Sequence, residues 1–142
     1  MKSQTDSPII EVAARGLAPV IQLIGIYVFF HGHYGPGGGF QGGVLLAAGV
    51  LLLRMAVGFE NSQVQVPSRK TLILCSVGAL IFAGTGLVAL LMGGNFMDYA
   101  HLPVPGMEAA DIRYYAILFI EIGVTMAVMT ALISIYDDLL GT

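Results

Sequence analysis

Tryptophan is absent, cysteine occurs once, and charge is scarce: six Lys or Arg and nine Asp or Glu among 142 residues. Each shortage excludes something. A soluble domain carries roughly 25% charged residues to solvate its surface, whereas this chain has 11%. A lone Cys75 allows no intramolecular disulfide and matches no metal-binding spacing. The net charge of −3, with no long basic or acidic run, gives nothing for nucleic acid to hold. No typical signal peptide follows Lys2, because Glu11 and Arg15 interrupt the first apolar region and no small-residue cleavage site follows Phe30. What remains is 56% hydrophobic, with a mean hydropathy of +0.83. Such a surface belongs in lipid, against other protein, or both.

Four apolar segments approach or exceed the ~20 residues that cross a hydrocarbon core. They run from about 9 to 30, 40 to 59, 71 to 92 and 114 to 136. The loops between them are too short to be domains, so residues 1–142 are expected to form a single all-α, four-helix integral membrane domain. Pro67 and Ser68 open the third helix, and Pro103 and Pro105 break any helix in the last loop. Lys2, Arg15, Arg54, Arg69 and Lys70 fall on the side of the termini and the second loop, and Arg113 alone falls opposite. The positive-inside rule then places the N- and C-termini in the cytoplasm.

Between the first two spans lies HGHYGPGGGFQGG, His31 to Gly43, with seven glycines, one proline and no charge. Gly37, Gly39 and Gly42 satisfy G-x-G-x-x-G, and Glu60 stands roughly where a ribose ligand would be wanted. That dinucleotide reading requires a parallel sheet with amphipathic helices and a water-facing ligand. Four continuous apolar spans rule it out. A flexible hairpin tip is the simpler alternative, but Pro36 fixes one φ, nothing solvates the run, and Phe40 sits within it. Irregular backbone near membrane depth is tolerated where protein buries it or where it lines a wet cavity. The run therefore reads as a packed turn against another subunit. His31, His33 and His101 lack the thiolate or carboxylate company of a metal site, and they sit at helix ends or in loops where haem ligands are uncommon. No metal or cofactor is expected.

Glu121 is the other anomaly, an acid roughly eight residues into the last apolar span. A charge near a helix centre costs about 2.5–3.5 kcal/mol on insertion scales and usually faces a bundle interior or a wet cavity. It can be a relay for protons or cations, or an acid whose hydrogen bonds hold subunits in register. Thr125, one turn on, shares its face and can offer a second oxygen. His33 is the remaining candidate for an ion path. Ala79 with Ala83, and Gly43 with Ala47, have the small-xxx-small spacing that lets membrane helices approach closely.

GHYGPGGGFQGG, Gly32 to Gly43, resembles the G-H-x-x-P-G-G-G-F-x-G-G signature of the MnhB/MrpB family, a membrane component of multisubunit Na+/H+ antiporters. HLPVPG (His101 to Gly106) is similar to the family's LP-x-x-G loop, and IEIGV (Ile120 to Val124) stands where many relatives read DLGV or DIGV. Glu121 replaces the commoner Asp, which keeps the acid on a longer arm, and Gln41 stands at a variable position of the signature. The resemblance implies a non-catalytic subunit of the cell membrane, with Na+ and H+ as transported ions and other antiporter subunits and lipid as partners. It implies a subunit-packing loop made of Gly32, His33, Pro36, Gly37, Gly38, Gly39, Phe40, Gly42 and Gly43, together with Pro103 and Gly106. The same module occurs in membrane-bound hydrogenase-type complexes, which is the alternative reading. A stand-alone oligomeric channel is the more distant one.

Overall fold

The computed structural model of the chain describes residues 7–58, 62 and 66–140. Lys2, Phe59 and Glu60 lie outside the described residues, as does the side chain of Arg69. Four helices carry the fold: α1 (Pro8–His31), α2 (Gly39–Val57), α3 (Ser68–Leu91) and α4 (Ala109–Leu139). All four are long and apolar enough to cross a membrane, and no strand occurs among the described residues. In lipid every backbone N–H and C=O must be satisfied internally, which a helix does and an open strand does not.

The helix ends follow local chemistry. Pro8 begins α1, where its missing N–H is of no consequence. Pro67 precedes α3, and the loop containing Pro103 and Pro105 delays α4 until Ala109. α4 is longer than its apolar run implies, since it starts five residues earlier and continues three further. Its added turns carry Asp111, Arg113, Asp137 and Asp138, polar groups that a hydropathy window trims but a helix accepts.

The helices form a row in the order α1, α2, α4, α3, so the two central helices are α2 and α4. Small residues set the spacing. A Cβ on Gly42 would lie 2.9 Å from Phe29 Cβ of α1, and one on Gly78 of α3 would lie 2.4 Å from Gly123 O of α4. Backbones this close gain their stability from van der Waals contact, because lipid removes the hydrophobic drive between helices. Gly43 and Ala47 are buried, with Gly43 against Thr125 O and Val128 of α4. Ala79 and Ala83 are exposed, so their small-residue pair meets no helix of this chain. The core is thin: Ala47, Val50 and Ile133 form one cluster, and Ala14, Ala56 and Val57 another. Large apolar side chains point outward instead, Leu23 at 69% exposure and Leu80 at 69% among them. The bundle turns its grease to its surroundings.

Candidate functional site

The segment from His31 to Gly39 folds back on the end of α1. Tyr34 N and Gly35 N donate to His31 O, and Gly38 N donates to Val28 O at 3.1 Å. Gly38 then takes φ 108°, ψ −174°, a conformation closed to side-chain-bearing residues, and this turns the chain into α2. The result is that the start of α2 abuts the middle of α4.

Glu121 is the residue it meets. A Cβ on Gly38 would stand 3.1 Å from Glu121 Oε1, and one on Gly39 only 2.5 Å from Glu121 O. Two backbones and a carboxyl group therefore share a space that no side chain can enter. Glu121 Oε2 is buried and has no hydrogen-bond partner. Thr125 Oγ1 lies 2.7 Å from Glu121 O and 3.0 Å from Gly39 O. One hydroxyl carries one proton, so it serves either carbonyl, and it ties the first residue of α2 to α4 when it turns to Gly39 O. Its oxygen is directed at the backbone rather than at the carboxyl group.

His33 takes a separate position. Its ring packs on Tyr114, with centroids 4.8 Å apart, and its Nε2 is buried without a hydrogen-bond partner. Tyr114 precedes Glu121 by seven residues, two turns or roughly 10 Å along the same face of α4. His33 and Glu121 thus flank one seam between the glycine segment and α4 without a shared bond. Gly32 and Gly37 are consumed by the turn itself, where added Cβ atoms would stand 2.4 Å from Gly38 and 2.5 Å from Val28 O. Gly38, Gly39, Gly42 and Gly43 are buried within this chain, whereas Pro36, Phe40 and Gln41 are exposed. Pro103 and Gly106 belong elsewhere. Pro103 lines a cavity of about 670 Å³ between α3 and α4, with Leu80, Val88, Met107 and Phe119. Gly106 is exposed at φ 85°.

A second polar centre lies toward the opposite end and was not read from the sequence as one. Arg54 of α2 and Asp137 of α4, at 1% and 2% exposure, form a buried ion pair. Arg54 Nη2 also donates to Val66 O at 2.6 Å, which pins the approach to α3. The available signal was an Arg inside LLLRMAV and an Asp in the last turn of α4, on the same side of a four-span topology. As a helix-end charge, Arg54 reads as an orientation marker; its burial makes it a structural one as well.

Comparison with known proteins separates a chance glycine loop from an inherited one. The sequence profile described as a domain related to the MnhB subunit of Na+/H+ antiporters matches residues 9–134. This chain belongs to the MnhB family. Among MnhB relatives, the antiporter subunit mnhB2 of Staphylococcus haemolyticus is 31% identical over 92% of this chain and 95% of its own. A Na+/H+ antiporter subunit of Bacillus subtilis is 26% identical over 90% of this chain and 94% of its own. A solved subunit of the membrane-bound sulfane sulfur reductase, an archaeal respiratory complex, superposes with a TM-score of 0.74 at 32% identity. That match covers 95% of this chain and 58% of the solved chain. The MnhB match takes in the glycine segment, Arg54 and Glu121, and it stops three residues short of Asp137.

Proposed function

We propose that this chain is a non-catalytic, multi-pass subunit of a multisubunit Na+/H+ antiporter in the cell membrane. It seats neighbouring subunits and lends Glu121 to an ion path. The observation that carries the ion-path part is Glu121 itself, an acid at mid-helix with Oε2 buried and unbonded. Membrane proteins retain such acids chiefly along proton and cation pathways. Four helices around one such group are too few for a complete alternating-access carrier, which needs larger repeats. The remaining machinery therefore belongs to partner subunits, for which exposed Phe40 and Pro36 are the natural contact points. Na+ and H+ are the ions named for its Bacillus subtilis relative. His33 and Thr125 complete the candidate path, His33 through its buried Nε2 beside Tyr114 and Thr125 as the hydroxyl one turn from the acid. The excess of basic residues on that side supports a cytoplasmic location for the termini, Arg54 and Lys70.

The test is cation-dependent proton movement in vesicles, normalised to assembled complex. Glu121→Gln removes the exchangeable proton and abolishes transport, whereas Glu121→Asp retains it. Full transport by the Gln variant would falsify the relay. Orientation is checked in a Cys75→Ser background with single cysteines at exposed Lys70 and Tyr34, which should label from opposite faces. The likeness to a respiratory complex supports a second reading, in which the same module serves a redox-driven pump. Copurification of either antiporter or redox subunits decides between the two machines.

A further inference from the structure

Every described neighbour of Glu121 is short of positive charge. From Gly16 to Phe30, α1 offers only Tyr27 as an ionisable group; α2 has none before Arg54; α3 offers only Cys75 between Thr71 and Leu91. α4 has no other ionisable residue between Ala116 and Ile135, and toward its start Tyr114 packs on the His33 ring. The sulfur of Cys75 is itself turned to Ala127 O. A carboxylate at this depth thus has no basic side chain to face among the described residues of the four helices, and Thr125 directs its hydroxyl at backbone carbonyls.

One source of positive potential is aimed at it. The first N–H groups of any α-helix lack intrahelical acceptors, and the start of a helix behaves as roughly half an elementary positive charge. α2 begins at Gly39, and its N-cap, Gly38, has no side chain with which to cap it. That start is pressed on Glu121: Gly38 lies beside Oε1 and Gly39 beside the backbone carbonyl. Oε2, buried and unbonded, is the group left wanting a counterpart. We infer that the N-terminus of α2 is the electrostatic counterpart of Glu121, a role that a Lys or Arg fills in other buried sites. The glycines at 38 and 39 are what allow it, since a Cβ at either would wedge the acid away from the helix end. This assignment concerns the same acid as the proposed ion path, but it does not require that Glu121 move ions.

Gln41 provides the test. It occupies the third position of α2, is exposed, and lies about 200° around the helix from both Gly39 and Gly43, the residues that touch α4. An acid there shares the helix end with Glu121 while pointing away from it. The thermal midpoint of the purified, intact complex is measured for the natural chain, Gln41→Glu, Glu121→Gln and the double variant. Gln41→Glu should lower the midpoint when Glu121 is present, because two anions compete for one helix end, and raise it when Gln stands at 121. Equal shifts in the two backgrounds would overturn the assignment. Where Glu121→Gln prevents assembly, the yield of complex is read instead. Adding Gln41→Glu should restore it, and no restoration overturns the assignment. Transport is not measured in this cycle, so a failed relay and a failed helix counterpart give different results.

Discussion

Glu121, half-buried with Oε2 fully enclosed, and the buried Asp137 are acids of α4 sixteen residues apart, and their surroundings contrast. Asp137 meets a guanidinium that is also bonded to Val66 O, so charge answers charge and three segments lock together. Glu121 faces the glycines that open α2, and one of its oxygens is left unbonded. A paired charge is spent on holding the fold. The contrast separates the end of the bundle held by an ion pair from the region where we propose an ion path.

The largest effect should come from breaking the pair at Asp137. Asp137→Ala leaves Arg54 buried without its carboxylate, a change of about 3–5 kcal/mol in comparable sites. Recovery of folded subunit, read by size-exclusion yield, should collapse. Arg54→Met with Asp137→Leu should restore most of it, because matched apolar groups avoid the uncompensated charge. If the double replacement is as damaging as the single one, the pair does more than hold the helices together.

Next comes Gly39→Ala, whose Cβ would collide with the backbone of Glu121. Overpacking of this kind costs about 1–3 kcal/mol. A cysteine cross-link between α2 and α4 should form more slowly in that variant, while one between α3 and α4 is unchanged. Smaller again is Thr125→Val, which removes a hydroxyl worth about 0.5–1.5 kcal/mol and should be rescued by Ser. Thermal melting of the complex reads both, and a Val variant as stable as the natural chain would remove Thr125 from the tie between α2 and α4. At the bottom of the scale, Gly16→Ala in α1 meets nothing within 4 Å. It should be neutral or stabilise the helix by up to about 1 kcal/mol.

Much of this architecture was legible beforehand because lipid imposes one strong rule, continuous apolar runs of a fixed length. That rule found four helices and marked Glu121 as an exception to them. It was weaker at the ends of α4, where Asp111 and Asp137 look like loop residues to a hydropathy count although both are helical. The glycine segment was read as a turn packed against another subunit, because a sequence alone does not show which of its own helices will meet it. Gly38 and Gly39 are buried on Glu121 of their own chain, a contact between residues more than eighty positions apart. The pairing of Arg54 with Asp137 was hidden for the same reason. Each charge is ordinary near a helix end, and only the adjacency of α2 and α4 makes them a pair.

The lengths of the two central helices carry a mechanical consequence. α2 has 19 residues, about 29 Å, and matches the ~30 Å thickness of a hydrocarbon layer when it stands upright. α4 has 31 residues, about 46 Å, so even at the ~40° limit of ordinary tilt it extends past the lipid by more than a turn. A helix of 19 residues and one of 31 cannot adjust equally to a change in bilayer thickness. A thinner or thicker bilayer therefore alters the angle at which they cross, and with it the seating of Gly39 on Glu121.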